Sequence, residues 1–308
     1  MPQDLVDMPN GELPLTYNVQ ATADASGEAK TTLFLTRSLD RGRTWSDPEE
    51  LRLVVKAEAW EPPRIHLTLA GRLIAMAKQE GRVSVFESTD AARTWSDPSP
   101  MNAPARVKDG KVKFQIGPQA FVNLADGAMV LLGHGAPPME GEAESIHTWS
   151  GQHFQAFSCR STDDGRTWSD PVNVDNRGPD QNGKQIDGNM DLTEVCAVQM
   201  GNGHIMGLIR PVYSPWMWET WSKDGGVTWG PCVRGLFPGY ATPNMLRTKS
   251  GLFKAQVSWV QKFQRISSST IRKRCILFVF RVIQVPIGYT RPITTAKIGM
   301  AVLNRHDQ

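Results

Sequence analysis

The clearest pattern of apolar and polar positions is a short apolar strand, a polar turn that ends in glycine, and a second apolar strand. It occurs in five segments: Pro2–Leu15, Pro62–Ala75, Pro118–Leu131, Glu194–Met206 and Thr242–Phe253. The glycines that end the turns are Gly11, Gly71, Gly127, Gly203 and Gly251. Short apolar runs bounded by turn residues are typical of β-strands. The pattern therefore predicts a series of β-hairpins.

A second repeat, out of phase with the first, has the form Ser-x-Asp-x-Gly-x-Thr-Trp. Its four copies are Ser38–Trp45, Ser88–Trp95, Ser161–Trp168 and Ser222–Trp229, and only the second departs, with Ala92 in the glycine position. In a tight turn, Asp accepts hydrogen bonds from backbone N–H groups a few residues on, and Gly supplies a positive φ. Thr then re-enters a strand, and Trp packs beneath the turn. We therefore expect turn-fastening and not catalysis from the four aspartates, Asp40, Asp90, Asp163 and Asp224.

The two repeats together give four strands per unit. Strand, turn, strand, loop, strand, Asp-containing turn and strand is the arrangement of a β-propeller blade. We therefore predict an all-β chain of four-stranded antiparallel blades. The extra length of some repeats lies in loops such as 136–153 and 173–191, and long loops on a rigid scaffold are common places for binding sites.

The composition and motifs of the chain limit the kinds of catalytic site that it can contain. Of the 308 residues, 40% are hydrophobic and 21% are charged, which is typical of a soluble globular protein. The four Cys and six His residues show no metal-ligand spacing, and no phosphate-binding loop, HExxH or GxSxG motif is present. We expect no catalytic metal and no cofactor. No secretory signal and no membrane-spanning apolar stretch is predicted, and the compartment stays open.

Charge is distributed unevenly along the chain. Residues 254–308 contain ten Lys or Arg and one acid, Asp307, whereas the residues before them are acidic overall. The Asp motif is also absent from this stretch, so we divide the chain at 253/254. A divergent last blade, an appended basic segment and a frameshifted end all fit residues 254–308. Nucleic-acid binding is not expected, because the basic residues are dispersed and lack interleaved aromatic residues.

Over residues 2–253 the chain resembles the bacterial and animal exo-sialidases (neuraminidases), also called Asp-box or BNR-repeat proteins. The resemblance implies a six-bladed β-propeller with its Asp motifs on the outer rim. It also implies removal of terminal sialic acid with retention of configuration. In that family three arginines hold the substrate carboxylate, a Tyr activated by a Glu is the nucleophile, and an Asp is the general acid/base. Five repeat starts are too few to close a six-bladed ring, and an open ring would expose strand edges.

The best match to the family pattern runs from Asp191 to Arg210: a Glu that opens a strand, a Gly turn, and an Arg that ends the next strand. The resemblance implies that Glu194 activates the Tyr and that Arg210 binds the substrate carboxylate. The alternative is an ordinary salt bridge between a strand-end carboxylate and a surface Arg.

Three further positions are assigned by the resemblance. Asp24 lies in the loop that carries the general acid/base, although Glu28 lies in the same loop. Arg64 follows two prolines and precedes Ile, similar to the signature of the first arginine, but in the second repeat; the alternative is a salt bridge to an acid such as Glu61. Tyr289 lies in the segment that is similar to the family's Tyr region.

The sequence thus leads to two hypotheses. The first is an exo-α-sialidase-like retaining glycoside hydrolase that acts on a sialylated glycan or a related acidic sugar. The second is a catalytically inactive Asp-box propeller that binds glycans or another protein. Neither nucleic acid nor a membrane is expected as a partner, and the oligomeric state is not predicted.

Overall fold

The structure is a computed structural model of the chain. It describes residues 2–20, 31–51, 53, 63–79, 82–103, 106–108, 111–114, 116–135, 154–174, 192–211, 216–238, 242–247, 253–260, 275–282 and 297–301. In these ranges the only regular elements are β-strands. These ranges contain no helix that is long and apolar enough to cross a membrane.

The first two four-stranded sheets each run in sequence order with antiparallel pairing. One contains β1 (Pro2–Leu5), β2 (Leu13–Gln20), β3 (Thr31–Ser38) and β4 (Glu49–Glu50). The other contains β5 (Arg64–Leu67), β6 (Leu73–Gln79), β7 (Arg82–Ser88) and β8 (Ser99–Pro100). A two-stranded ribbon that the repeats did not predict follows, with β9 (Arg106–Lys108) and β10 (Lys111–Phe114).

Three more four-stranded sheets have the same sequential order. The third sheet contains β11 (Gly117–Asn123), β12 (Met129–Gly135), β13 (Gln155–Ser161) and β14 (Val172–Asn173). The fourth contains β15 (Leu192–Gln199), β16 (Ile205–Pro211), β17 (Trp216–Ser222) and β18 (Val233–Pro238). The fifth contains β19 (Asn244–Arg247), β20 (Phe253–Val260), β21 (Cys275–Val282) and β22 (Lys297–Ala301).

The prediction of an all-β chain made of four-stranded antiparallel sheets is confirmed. The expectation of six blades is wrong for the described residues. Four sheets carry both repeats of the sequence, and the fifth, β19–β22, has no Ser-x-Asp segment between its last strands. Only four sheets carry both repeats because the Ser-x-Asp motif occurs four times in the sequence, and its last copy ends at Trp229.

Each Ser-x-Asp segment joins the third and fourth strands of its sheet through side-chain hydrogen bonds. In the first copy, Asp40 Oδ1 accepts hydrogen bonds from the backbone N–H groups of Arg43 and Thr44 at 3.0 and 2.8 Å. The Thr44 hydroxyl donates to Asp40 Oδ2 at 2.6 Å, and the Ser38 hydroxyl accepts from the N–H of Gly42 at 2.7 Å. The bonds from Thr44 lower the pKa of Asp40 to about 2. Asp90, Asp163 and Asp224 each accept from the backbone N–H and the hydroxyl of a Thr four residues on.

The chain divides into two compact units. The first comprises residues 1–131 and 159–171, and the second comprises residues 132–158 and 172–308. In the first unit the core includes Leu35, Leu73, Met76 and Leu131, all fully buried. In the second unit it includes Leu192, Ile205, Met206 and Leu208. Strand β16 is buried at every position except Arg210, which fits its continuous apolar sequence, because a strand covered on both faces does not alternate.

Candidate functional site

The two residues with the best sequence support, Glu194 and Arg210, meet at one end of the β15–β16 hairpin. Leu192 pairs with Pro211 and Val195 pairs with Ile209, with a shift of register between them. Two residues of β15, one of them Glu194, therefore lie opposite the single residue Arg210. This is the arrangement of a β-bulge, which bends a strand locally and redirects a side chain.

The bulge brings the carboxylate and the guanidinium into direct contact. Arg210 Nη1 lies 2.7 Å from Glu194 Oε1 and 2.6 Å from Oε2, and the side chains are 18% and 21% exposed. The Thr193 hydroxyl lies 3.1 Å from Glu194 Oε2 and 3.2 Å from the backbone oxygen of Arg210, and it can donate to one of them at a time. Arg210 Nε is buried and has no hydrogen-bond partner in the described part of the chain. The two side chains therefore form a direct ion pair that is partly accessible to solvent.

The surroundings of Glu194 keep it ionised. Burial is the largest effect on its pKa and raises it, but the hydrogen bond and charge of Arg210, the charge of His134 and the bond from Thr193 together lower it below the ordinary value. At neutral pH the group is thus a carboxylate, which can accept a hydrogen bond or a proton from a neighbouring hydroxyl. His134, the last polar residue of β12, was not selected from the sequence. The sequence does indicate an equivalent position, because His134 lies seven residues after Gly127 just as Arg210 lies seven residues after Gly203.

Arg64 lies in the first unit and has an acidic partner. Its Nη1 lies 3.7 Å from Asp4 Oδ1, with side-chain exposures of 14% and 20%, and Asp4 Oδ2 accepts a 2.9 Å hydrogen bond from the backbone N–H of Ile65. Burial raises the pKa of Asp4, against the opposing effects of Arg64 and Ile65. The sequence suggested Glu61 as a partner, and Glu61 lies outside the described residues. Asp4 occupies the position in the first repeat that Arg64 occupies in the second, seven residues before the turn glycine.

The structure does not describe three of the residues considered for the site, Asp24, Glu28 and Tyr289. The roles assigned to them stay predictions. Among the residues that are described, no group of three or more His, Cys, Asp or Glu side chains is arranged to hold a metal ion.

A cavity of about 400 Å³ lies in the first unit. Its lining includes Glu49 of β4 and Trp95 of the second Ser-x-Asp motif, together with Leu35 of β3 and Phe86 of β7.

No protein-family model matches the chain, and no curated protein sequence matches it. Solved structures do. A protein of unknown function from Dyadobacter fermentans matches with a TM-score of 0.71 and 14% identity, over 98% of this chain and 82% of that one. The Hadza microbial sialidase Hz136 matches with a TM-score of 0.59 and 16% identity, over 99% of this chain and 58% of that one. The intramolecular trans-sialidase from Ruminococcus gnavus, in complex with oseltamivir carboxylate, matches with a TM-score of 0.59 and 12% identity, over 99% of this chain and 84% of that one.

The chain has a sialidase-like β-propeller fold. The four-stranded sheets are accordingly blades of a propeller, as the two repeats predicted. At 12–16% identity the likeness concerns the fold alone. In particular, the chain spans little more than half the length of the Hadza sialidase, 58%. The activity of this propeller must therefore be argued from its own residues.

Proposed function

We propose that this propeller is an exo-α-sialidase-like retaining glycoside hydrolase that removes terminal sialic acid from glycans. The observation that carries the proposal is the contact between Glu194 and Arg210 at 2.6 Å, since these are the two residues that the resemblance to sialidases selects from the sequence. The likeness to two sialidase-type structures, one with a carboxylate ligand named in its complex, supports the same proposal.

The chemistry of such a substrate fits the properties of this pair. A sugar that already carries a carboxylate repels an anionic nucleophile, so a neutral Tyr activated by a carboxylate is suitable, an exception to the usual two-carboxylate mechanism. In the proposal Glu194, held ionised by Arg210, accepts the proton of the Tyr hydroxyl, for which Tyr289 is the candidate. The guanidinium of Arg210, whose side chain is 18% exposed beside Glu194, supplies donors for an oxygen of the substrate carboxylate. Asp24 is the candidate general acid/base, and Arg64 the candidate second carboxylate-binding arginine.

The test is release of a fluorogenic leaving group from an α-sialoside. Glu194→Gln should lower kcat by about 10²- to 10⁴-fold, the usual range for loss of a group that moves a proton. Glu49→Gln is the matched control, because Glu49 is 63% exposed and belongs to the first unit. Equal rates for wild type and Glu194→Gln, with both proteins folded, would exclude Glu194 from the chemistry.

A propeller that binds glycans or a protein without turnover is the second candidate. The observation in its favour is that both predicted arginines already contact an acid: Arg210 contacts Glu194, and Arg64 lies 3.7 Å from Asp4. A substrate carboxylate would have to compete with these side chains. Binding of sialyllactose without any release of sialic acid would support this candidate over the hydrolase.

A further inference from the structure

Thr193 contacts both residues of the proposed site. In a regular β-strand successive side chains point to opposite faces, so Thr193 and Glu194 would lie on different sides of β15. The shift of register between Leu192 and Val195 places both of them opposite Arg210 instead. The Thr193 hydroxyl lies 3.1 Å from Glu194 Oε2 and 3.2 Å from the backbone oxygen of Arg210. One hydroxyl therefore connects the carboxylate to the strand that carries the guanidinium.

Thr193 is suited to orient the carboxylate because it is itself held in place. It is 7% exposed, and a β-branched side chain in a packed environment has few rotamers open to it. The other partner of the carboxylate is the guanidinium of Arg210, which in the proposed function also binds the substrate. The hydrogen bonds of Arg210 therefore change during the reaction, whereas Thr193 stays in position.

The two acceptors beside Thr193 differ in strength. A hydroxyl has one proton, so Thr193 donates to only one of them at a time. An ionised carboxylate is the stronger acceptor, and Glu194 receives the bond while it is charged. Once Glu194 has accepted a proton it is a neutral acid, and the backbone oxygen of Arg210 becomes a comparable acceptor. Rotation of one O–H bond can thus follow the proton without moving the backbone.

We propose that Thr193 is a positioning residue of the Glu194–Arg210 site. Its hydroxyl donates to the Glu194 carboxylate while that group is ionised, and to the backbone oxygen of Arg210 once the carboxylate has accepted the proton of the Tyr hydroxyl. This inference rests on the proposed function, and it adds a residue that the resemblance to sialidases did not supply. It assigns to Thr193 the orientation of the proton acceptor and not contact with substrate. Its loss should therefore act on kcat more than on KM.

Substitutions of Thr193 separate the hydroxyl from the shape of the side chain. Thr193→Val removes the hydroxyl and keeps the branched shape, Thr193→Ser keeps the hydroxyl, and Thr193→Ala is a second variant without it. Thr220→Val is the matched control, because Thr220 is a buried threonine of the same blade whose hydroxyl lies 3.2 Å from the backbone oxygen of Gly230. Thr220 pairs with Gly207, three residues along β16 from Arg210, which is about 10 Å at 3.3 Å per residue.

Two measurements are made on each protein. The first is turnover of the fluorogenic α-sialoside as a function of pH. The second is the NMR titration of the Glu194 carboxylate in protein with ¹³C-labelled glutamate, its signal assigned from Glu194→Gln, and this measurement needs no activity. Arg210 on β16 and His134 on β12 also act on the charge of Glu194, and both are unchanged in these variants. Thermal melting verifies folding.

We expect Thr193→Val to lower kcat about tenfold, with KM within about threefold of wild type. Its Glu194 carboxylate should titrate at a higher pH than in wild type, because a hydrogen bond to the charged form is lost. The acid limb of the kcat profile should move in the same direction. Thr193→Ser should restore both properties, and Thr220→Val should match wild type.

A folded Thr193→Val or Thr193→Ala protein with wild-type kcat and wild-type titration of Glu194 would overturn this inference and leave the proposed function intact. An equal loss of kcat in Thr220→Val, or failure of both hydroxyl-free variants to fold, would also overturn it, since Thr193 would then serve general stability. A wild-type protein without turnover, in which Thr193→Val still shifts the titration of Glu194, would overturn the proposed function and leave the hydrogen bond from Thr193 standing.

Discussion

The indole nitrogen of Trp229 donates a 2.8 Å hydrogen bond to the hydroxyl of Ser158, and both groups are buried. Trp229 ends the fourth Ser-x-Asp motif, and Ser158 lies in β13 of the preceding blade. The residues equivalent to Ser158, three positions before the Ser of each earlier motif, are Leu35 and Val85. Neither has a side-chain acceptor. Correspondingly, the indole nitrogens of Trp95 and Trp168 are buried without a partner among the described residues.

This difference between the motifs makes Ser158 important for stability. Ser158→Ala would leave a buried indole N–H without its acceptor, which costs about 1–3 kcal/mol. We expect the free energy of unfolding, measured by urea denaturation, to fall by about that amount. In a Trp229→Phe background the same substitution should cost much less, because no N–H remains to be satisfied. An equal cost in both backgrounds would show that the hydrogen bond is not responsible.

Alanine substitution at two turn glycines, Gly11 and Gly165, distinguishes the cost of backbone strain from the cost of crowding. Gly165 and Gly11 have nearly the same positive φ, 83° and 85°. A Cβ on Gly165 would lie 3.2 Å from Met129 Cε, whereas one on Gly11 would have no atom within 4 Å. Gly11→Ala should therefore cost about 1–2 kcal/mol from the left-handed conformation alone, and Gly165→Ala should cost more. Melting temperatures compare them, and an equal loss in both variants would contradict the crowding argument.

Two arginines, Arg72 and Arg93, each connect neighbouring turns, and they should differ in how much they contribute to the free energy of unfolding. Arg72 is 12% exposed, donates to the backbone oxygen of Asp164 at 2.7 Å, and also contacts Glu87 and the Asp164 carboxylate. Arg93 is 49% exposed and pairs with Glu12 at 2.7 Å. Arg72→Met should destabilise the protein by about 3 kcal/mol or more, because it leaves a partly buried carboxylate without its cation. Arg93→Met breaks an exposed ion pair and should cost clearly less than Arg72→Met.

Urea titration of both variants measures this difference. If Arg93→Met proved as costly as Arg72→Met, burial would not be the property that sets the strength of these contacts.

The fold could be predicted because its determinants are local. A hairpin needs two short apolar runs and a turn residue that tolerates positive φ, and Gly11, Gly71, Gly127 and Gly203 all have a φ between 83° and 89°. The Asp motif likewise closes its turn with groups no more than four residues apart. The ribbon β9–β10 was missed, because it has neither of the two repeats.

The site was predicted only in part, because its contacts join residues that are distant in sequence. Glu194 and Arg210 were found, since one hairpin separates them. The bulge that makes them meet depends on the register of pairing, which the apolar pattern does not specify when a strand is buried on both faces. The contact between Asp4 and Arg64 joins two different blades. No local pattern brings such residues together.

The ion pair of the proposed site should make stability depend on pH. The pKa of Glu194 in the folded protein is lowered from an ordinary value of 4.5, so folding favours the carboxylate form. The stabilisation is thus fully present above pH 4.5 and is lost as the pH falls through the lowered folded-state pKa. Glu194→Gln has no carboxylate to protonate, and this part of the acid sensitivity should disappear.

The measurement compares wild type with Glu194→Gln by urea unfolding at a series of pH values from neutral to acid. We expect wild type to be the more stable protein at neutral pH, and the difference to shrink below pH 4.5. Other carboxylates with lowered pKa values, such as Asp40, act equally on both proteins and cancel in the comparison. In an Arg210→Met background the sign should change, because burial would then raise the pKa of Glu194 and replacing it with Gln would stabilise the protein at neutral pH. A difference between wild type and Glu194→Gln that stays constant with pH would mean that Arg210 does not hold Glu194 in its ionised form.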